Sequence, residues 1–371
     1  MPLSCTLQAL QSYPMSRNTI AKIDLAAIRH NLGRVRKLAP ESQVACVVKA
    51  DAYGHGLARV SSALKEADIL AVATVDEGRR CRDSGWAGRL LLLEGPANVP
   101  EFQEMISLEA EMVVHHETQL ELLRQRRDEI NNALWLKVDS GMHRLGFPPQ
   151  DAVAVHAELE SLRGRTQTIL MTHFACADEA HNPMTRQQIN RFDASISGIP
   201  GQVSLANSAA VLNFPDSHRD FIRPGIMLYG VSPCSQRPAA DIGLRPAMTL
   251  QCDLIAINQC RAGDTVSYGA AYTCPEDMRV GVGAIGYGDG YPRHARNGTP
   301  VLLNGKRAAL VGHVSMDMIM IDLRGHEHAQ VGDQVTLWGQ GLPLEELALW
   351  CDAIPYQLIC GVTARVRPVV S

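Results

Sequence analysis

The sequence predicts an α/β protein with two domains: an N-terminal (β/α)₈ barrel of the TIM type and a C-terminal, mainly β domain. From about residue 20 to residue 240, short apolar runs alternate with longer amphipathic stretches, as in strand–helix units around a parallel sheet. After about residue 243 the apolar residues alternate with a period of two, between glycine, aspartate and proline turns. A length of 371 residues suits about two domains. We therefore assign residues 1–18 to an N-terminal extension, 19–243 to the barrel domain and 244–371 to the β domain.

The individual elements follow from the spacing of apolar residues. Asp24 can cap a helix in which Ile28, Leu32 and Val35 recur at helical spacing. Further helices are predicted over residues 117–132, 184–195 and 344–351. Buried barrel strands are predicted over residues 44–48, 69–74, 90–93, 110–114, 134–138 and 168–173. Period-two strands of the second domain are predicted over residues 248–257, 279–285 and 308–322.

The composition is that of a soluble globular protein, with 46% hydrophobic and 20% charged residues. No run of about 18 apolar residues is present to span a membrane. Residues 1–18 lack the pattern of a secretory signal, and Met15 is an alternative start to Met1. The net charge of −4 is spread without a basic stripe, which argues against nucleic-acid binding. The ten cysteines form no C-x-x-C pair, which favours reduced thiols in a cytoplasmic protein over disulfides or a zinc site.

Lys49 follows an apolar strand and precedes a turn that contains two glycines. An unpaired buried ammonium costs several kcal/mol, so a lysine at such a place usually has a lowered pKa or is consumed in a Schiff base. A neutral amine at the mouth of a fold is the nucleophile that reacts with an aldehyde such as pyridoxal phosphate. Asp139, His173 and Arg223 also follow apolar strands, and the carboxyl ends of barrel strands are where catalytic groups gather.

Six motifs together resemble the alanine racemase family over essentially the whole chain beyond residue 18. They are Val-Val-Lys-Ala-Asp-Ala-Tyr-Gly-His-Gly at 47–56, Asn-Ser-Ala-Ala at 207–210, Arg-Pro-Gly-Ile at 223–226, Val-Ser-Tyr-Gly at 266–269, Gly-Tyr-Gly-Asp-Gly-Tyr-Pro-Arg at 286–293 and Val-Ser-Met-Asp at 314–317. The first alone is also similar to related pyridoxal enzymes and to a cofactor-carrying family. The resemblance implies an eight-stranded α/β barrel, a C-terminal β domain, pyridoxal 5′-phosphate as cofactor, alanine as substrate, and a homodimer whose active sites take residues from both chains.

Racemisation removes the Cα proton from one face and returns a proton to the other, so it requires two acid–base groups on opposite faces. The resemblance implies that Lys49 exchanges the proton of D-alanine. It implies that Tyr268, supplied by the partner subunit, exchanges the proton of L-alanine.

The resemblance also implies the residues that bind the cofactor. Arg223 would face the pyridine nitrogen, where an arginine, unlike a carboxylate, does not readily give up a proton. The implied cofactor-binding set is Lys49, Tyr53, His173, Asn207, Ser208, Arg223, Gly225 and Ile226, of which Tyr53, Ser208, Gly225 and Ile226 would meet the phosphate. Many family members add a tyrosine near the C-terminus, and the matching position is taken to be Ala364, which predicts the loss of one hydroxyl contact.

The substrate carboxylate would be met by Arg144 and the backbone of Met316, with Tyr287 and Asp317 nearby. The resemblance implies that Lys137 is carbamylated and holds Arg144. The alternative for Lys137 is a plain ion pair with Asp139. His55 and His143 have no second ligand at metal-binding spacing, so no metal site is expected.

Two other functions remain as alternatives. A barrel-type pyridoxal amino-acid decarboxylase would place a carboxylate at the ring nitrogen, whereas this sequence has Arg223. A non-enzymatic cofactor carrier has no use for the second domain or for Tyr268. Supply of D-alanine for peptidoglycan and breakdown of alanine would use the same site, and the sequence leaves both open.

Overall fold

The structure of the protein is a computed structural model that describes residues 17–162 and 168–371. It contains the two predicted architectures, a closed parallel barrel and a mainly β domain. Residues 1–16 of the expected extension, including Met15, lie outside the described residues. No helix among the described residues is long and apolar enough to cross a membrane. The nine described cysteines are free thiols, and six of them are buried.

Eight parallel strands form the barrel, and pairing of Gln43 with Phe221 closes it. Four-residue segments such as Ile69–Val72 are buried on both faces, because helices cover the outside and side chains fill the inside. The strands are Gln43–Val47, Ile69–Val72, Arg89–Leu92, Ala110–Val114, Leu134–Lys137, Thr168–Met171, Gln202–Asn207 and Phe221–Arg223. The helices of this half are Leu25–Leu38, Leu57–Ala63, Val75–Asp83, Val99–Ser107, Glu117–Gln125, Ala152–Leu162, Pro183–Ser195 and Ser208–Asn213.

The second domain is built on an eight-stranded sheet in which the long strand Met248–Cys260 pairs with three neighbours. In spatial order the strands are Met278–Gly283, Ile319–Asp322, Lys306–Val311, Pro300–Leu303, Gln334–Trp338, Met248–Cys260, Ile20–Ile23 and Arg367–Val370. A small hairpin, Thr265–Val266 with Tyr272–Thr273, and the helices Leu344–Trp350 and Pro355–Cys360 complete it.

One strand lies in a different domain from the predicted one. Ile20–Ile23 pairs antiparallel with Met248–Gln251 and parallel with Arg367–Val370, so it belongs to the second sheet, although the predicted boundary assigned it to the barrel domain. The barrel itself begins at Gln43. A short apolar segment must pair its backbone groups with some strand, but its own sequence does not say which one.

The predicted helix start at Asp24 is confirmed, since its carboxylate accepts a hydrogen bond of 2.8 Å from the Ala27 N–H. The helix predicted over 117–132 ends earlier, at Gln125. The single strand predicted over 308–322 is wrong, because two strands are separated by residues 312–318. Gly312 has a φ of +74°, and a Cβ there would lie 2.4 Å from the Ser267 Cβ, so the extended backbone stops at this glycine.

Candidate active site

A cavity of about 960 Å³ opens at the carboxyl ends of the barrel strands. It brings together all ten residues predicted to act on the barrel side. They are Lys49, Tyr53, Lys137, Arg144, His173, Asn207, Ser208, Arg223, Gly225 and Ile226. Among the described residues, no three His, Cys, Asp or Glu side chains come together as a metal site would require.

Lys49 begins a turn of unusual backbone conformation directly after the first barrel strand. The four residues that follow, from Ala50 to Tyr53, have φ values of 53°, 53°, 54° and 52°, all in the left-handed region. Each such non-glycine residue costs about 1–2 kcal/mol. Strain of this kind persists where the surrounding structure enforces it, often at a functional site. The turn leads both Lys49 and Tyr53 to the cavity wall.

Arg223 ends the last barrel strand and is 4% exposed. Its guanidinium donates hydrogen bonds to the Ser204 hydroxyl at 2.5 Å and to the carbonyls of Thr172 at 2.5 Å and Leu205 at 3.2 Å. Burial lowers the pKa of Arg223 to about 10, so it remains charged at neutral pH. A rigidly held cation therefore lines the cavity.

His173 lies beside this guanidinium, with its Nδ1 3.5 Å from an Arg223 nitrogen. Burial, followed by the charge of Arg223, holds the pKa of His173 well below its usual range. The imidazole is therefore neutral.

Lys137 ends the strand Leu134–Lys137 and is 8% exposed. Burial, then the charges of Arg223, Arg144 and Lys49, lower the pKa of Lys137 to about 8. Among the described residues, no ion pair joins Lys137 to Asp139. The Asp139 carboxylate instead accepts hydrogen bonds from the backbone N–H groups of residues 141, 142 and 143 and lies 3.2 Å from His143.

The part of the cavity wall formed by Tyr53, Ser208, Gly225 and Ile226 has the features of an anion cradle. The Ser208 hydroxyl accepts a 2.9 Å hydrogen bond from the Gly225 N–H, and Ile226 begins a short 3₁₀ helix. A Cβ on Gly225 would lie 2.3 Å from the Tyr53 hydroxyl oxygen, so only glycine lets this hydroxyl approach the backbone. Burial raises the pKa of Tyr53, and the hydroxyl therefore keeps a proton to donate. Asn207 caps the helix Ser208–Asn213 by accepting a hydrogen bond from the Ala210 N–H.

The structure corrects the prediction made for Ala364. This residue is exposed and does not line the cavity, so no contact is missing there. Tyr356 lines it instead, with its ring centroid 6.0 Å from that of Tyr53. Tyr356 lies in the helix Pro355–Cys360 of the second domain, whose approach to the barrel requires Gly54: a Cβ there would lie 2.3 Å from the Ile359 carbonyl oxygen. Sequence reasoning missed Tyr356 because it stands among apolar residues and no motif around it indicates a binding site.

The other four predicted residues lie on the second domain and do not line the cavity. Tyr268, Tyr287, Met316 and Asp317 form what we term the exposed lobe. Three of its members are exposed in this chain, Tyr268 at 70%, Met316 at 53% and Tyr287 at 41%, and Asp317 is partly buried.

Hydrogen bonds of the backbone and of the Ser267 side chain tie the loops of the exposed lobe into one unit. The Ser267 hydroxyl donates to the His313 carbonyl at 2.8 Å and accepts from its N–H at 3.1 Å. The Tyr287 N–H donates to the Ser315 carbonyl, and the Gly288 N–H to that of Met316. The three loops that carry the predicted residues therefore have fixed relative positions.

Comparisons with known proteins agree with this architecture. The family model described as alanine racemase, N-terminal domain, matches residues 23–233, and that of the C-terminal domain matches residues 247–370. An alanine racemase from Nitrosococcus oceani is 49% identical over 93% of this chain and 97% of its own length. One from Halorhodospira halophila is 46% identical over 95% and 98%.

Solved structures give the same result. The biosynthetic alanine racemase from Pseudomonas aeruginosa superposes with a TM-score of 0.93 at 45% identity, covering 96% of this chain and 99% of that one. An alanine racemase from Bartonella henselae, described with covalently bound pyridoxal phosphate, gives 0.86 at 25% identity over 95% and 99%. With both domains matched and the cavity residues brought together, this chain belongs to the alanine racemase family of isomerases.

Proposed function

We propose that this protein interconverts L-alanine and D-alanine, with pyridoxal 5′-phosphate bound covalently to Lys49. The observation that carries the proposal is the convergence, in one cavity, of a lysine on a strained turn, a buried arginine and an anion cradle. The Bartonella relative described with covalently bound pyridoxal phosphate supports the choice of cofactor.

The residues of the cavity fit that cofactor. Ser208, the backbone of Gly225 and Ile226, and the Tyr53 hydroxyl would hold its phosphate, and Tyr356 adds a second hydroxyl on this side. Among the described residues, no group hydrogen-bonds to the Tyr53 hydroxyl, which leaves it for a ligand. When bound, pyridoxal phosphate withdraws electrons from the substrate and so acidifies its Cα–H bond.

Arg223 would face the ring nitrogen. Its N–H groups are directed by the Thr172 and Leu205 carbonyls, and its pKa of about 10 keeps it from giving up a proton at neutral pH. A barrel-type decarboxylase would need a carboxylate at this place, so Arg223 favours the racemase.

The chemistry of the protein side chains is proton transfer at the substrate Cα. The strained turn brings Lys49 to the cavity, where its amine would take or return the proton on one face of the substrate Cα. Tyr268 would act on the other face through its hydroxyl. Neither group alone inverts the centre, because each reaches only one face.

Tyr268 would come from a second copy of the chain. It does not line the cavity of its own chain, and it is 70% exposed on a lobe whose loops are joined by hydrogen bonds. A homodimer in which the exposed lobe of each subunit covers the cavity of the other brings Tyr268, Tyr287 and Met316 to the substrate. This arrangement counts against a cofactor carrier, which needs no second acid–base group.

Arg144, with the backbone of Met316 and with Asp317 and Tyr287 nearby, would meet the alanine carboxylate. Lys137 is the candidate for carbamylation, in which a neutral amine adds to carbon dioxide and releases a proton. A pKa of about 8 makes the neutral amine accessible, and the resulting anion would offset the charges of Arg144, Arg223 and Lys49. We place the enzyme in the cytoplasm, where it would supply D-alanine for peptidoglycan or serve alanine breakdown.

The direct test is conversion of L-alanine to D-alanine by the purified protein, followed by a coupled D-alanine assay. Serine and arginine serve as comparison substrates, and release of carbon dioxide would identify a decarboxylase instead. If the protein loaded with cofactor forms no D-alanine from L-alanine, the proposal is overturned.

The shared site is tested by mixed dimers of Lys49→Ala and Tyr268→Phe subunits, co-expressed with two different tags and purified through both. Each variant alone is expected to be inactive. A mixed dimer is expected to regain about half of the wild-type activity, because one of its two sites holds an intact Lys49 and an intact partner Tyr268. If both residues served the same chain, the mixed dimer would stay inactive.

A further inference from the structure

The left-handed turn from Ala50 to Tyr53 is held at its two ends by side chains that lie outside the proposed chemistry. We propose that Glu77 and His55 are positioning residues for the lysine and tyrosine of this turn, acting through its backbone. The inference rests on the proposed function, in which Lys49 carries the cofactor and Tyr53 meets its phosphate.

Glu77 holds the start of the turn. One oxygen of its carboxylate accepts a 2.6 Å hydrogen bond from the Ala50 N–H, next to Lys49. Its other oxygen accepts a 2.9 Å hydrogen bond from the Ala73 N–H, just after the strand Ile69–Val72. The carboxylate therefore joins the lysine turn to the neighbouring barrel strand, and hydrogen bonds to a charged acceptor are stronger than neutral ones.

His55 holds the end of the turn. Its Nδ1 lies 2.9 Å from the Tyr53 carbonyl and 3.1 Å from that of Ala52. Both partners can only accept, so Nδ1 carries the proton and donates to them. The imidazole is fully buried, and burial lowers the pKa of His55 to about 4, which keeps this ring neutral.

Aromatic contacts connect this end of the turn to the strand that precedes Lys49. The His55 ring lies 4.6 Å from the ring of Tyr229, which in turn stacks on Tyr53 at 4.7 Å. The Tyr229 hydroxyl donates to the Val47 carbonyl at 3.1 Å. These contacts therefore fix the position of Tyr53 relative to the strand that precedes Lys49.

The two ends matter together because Lys49 and Tyr53 would contact two different groups of one cofactor, its aldehyde and its phosphate. Four consecutive residues in the left-handed region fix the offset between the amine and the hydroxyl. If either anchor is removed, the turn is free to relax toward commoner backbone angles, and the amine and the hydroxyl no longer match the spacing between the aldehyde and the phosphate.

The test uses full-length protein freed of cofactor and then titrated with pyridoxal phosphate. The variants are Glu77→Ala, Glu77→Gln and His55→Leu. In Glu77→Gln the amide oxygen can still accept from the Ala50 N–H, but the amide nitrogen meets the Ala73 N–H without a hydrogen bond. Asp24→Ala is the matched control, because it also removes a side-chain acceptor from a barrel-domain backbone N–H but does not touch the turn.

The readouts are the dissociation constant for pyridoxal phosphate, the rate of its covalent attachment to Lys49 trapped by borohydride, and the unfolding midpoint. We expect Glu77→Ala and His55→Leu to raise the dissociation constant about tenfold or more and to slow attachment similarly, the scale expected from one lost hydrogen bond. Glu77→Gln is expected to lie between Glu77→Ala and wild type. Asp24→Ala is expected to lower the midpoint while leaving both cofactor readouts at the wild-type value.

Unchanged affinity and attachment in Glu77→Ala and Glu77→Gln would overturn the inference while leaving the proposed function intact. The inference would also be overturned if the loss of cofactor affinity simply scaled with the fall in the unfolding midpoint, and Asp24→Ala showed the same relation between the two. Failure of the wild-type protein to attach pyridoxal phosphate to Lys49 would overturn both. Because Glu77→Gln changes a single functional group on a partly exposed side chain, the test does not depend on the folding of His55→Leu.

Discussion

The mouth of the barrel and the exposed lobe carry the two halves of the proposed site, but their side chains differ in burial. At the barrel mouth two cations are buried, Arg223 with three hydrogen bonds to its own chain and Lys137 with a lowered pKa. On the lobe, the Tyr268 and Met316 side chains are exposed and do not line the cavity of their own chain.

The difference shows how to recognise a half-site. Buried polar groups point to chemistry inside the chain, because leaving them unpaired is costly. Exposed tyrosine and methionine side chains on a rigid lobe point to chemistry outside it, because such residues are enriched where surfaces meet. The barrel half should therefore be sensitive to substitution in both stability and activity, and the lobe half in activity alone.

The largest effect is expected from Lys49→Ala, which removes both the attachment point and one proton-transfer group. We expect alanine racemisation to fall by about 10⁴-fold or more. The visible absorbance of covalently bound cofactor should disappear from the spectrum of the purified protein. Retention of that absorbance would show that another group carries the cofactor.

Tyr268→Phe should separate activity from stability. We expect a loss of about 10²- to 10⁴-fold in racemisation and a change in unfolding free energy within about 0.5 kcal/mol, as for an exposed site. The bound-cofactor absorbance should remain. Exchange of the L-alanine Cα proton with deuterated solvent, followed by NMR, measures the step directly, and exchange at the wild-type rate contradicts the assignment.

The buried charge of Lys137 should make the stability of the protein depend on pH. Its pKa is about 8 in the folded protein and 10.5 in the unfolded chain, so the unfolded chain binds more protons between these values and stability rises with pH across this window. At pH 7 the penalty is fully present and amounts to about 3 kcal/mol at 1.36 kcal/mol per pKa unit. In buffer free of carbon dioxide, Lys137→Met should therefore exceed wild type in stability at pH 7, and the difference should shrink toward pH 10.

Urea unfolding at both pH values measures this effect. Lys65→Met, at an exposed lysine, is the control measured alongside. Bicarbonate should reduce the advantage of Lys137→Met, since a carbamylated Lys137 has no titrating amine. An equal stability difference at pH 7 and pH 10 would count against a buried cation at this position.

The smallest effect is expected from Gly225→Ala. Its added Cβ would lie 2.3 Å from the Tyr53 hydroxyl oxygen, so the hydroxyl must move. Overpacking of this kind costs about 1–3 kcal/mol, which we expect to see as about a 10- to 100-fold rise in the cofactor dissociation constant. Gly33→Ala is the control, because a Cβ at that helical glycine meets nothing within 4 Å and should leave cofactor binding unchanged.

The sequence predicts the barrel half well because the signals for it lie in short stretches of sequence. Strands buried on both faces read as apolar runs, and Lys49, His173 and Arg223 stand where those runs end. Their convergence follows from barrel geometry, in which all strand ends share one rim.

Other features depend on contacts between distant segments, which local patterns do not encode. The strand Ile20–Ile23 finds its partners in the second sheet, and Tyr356 reaches the cavity through a helix of the second domain. The placement of a tyrosine contact at position 364 failed for the same reason, since residue 364 lies beyond that helix on the surface. The left-handed turn after Lys49 was also missed, because three of its four residues are alanine or tyrosine, which do not signal a positive φ.

The strand Ile20–Ile23 also sets an order of events during synthesis. Ile23 pairs with Met248, which lies 225 residues further along (248 minus 23). At about 5–20 residues per second, a ribosome takes on the order of 10 to 45 s to cover that distance. The eight barrel strands, which end at Arg223, are all made before this partner exists. The nascent protein can therefore close its barrel while its leading strand is still unpaired, and the β domain is completed only when the last strand, Arg367–Val370, joins it.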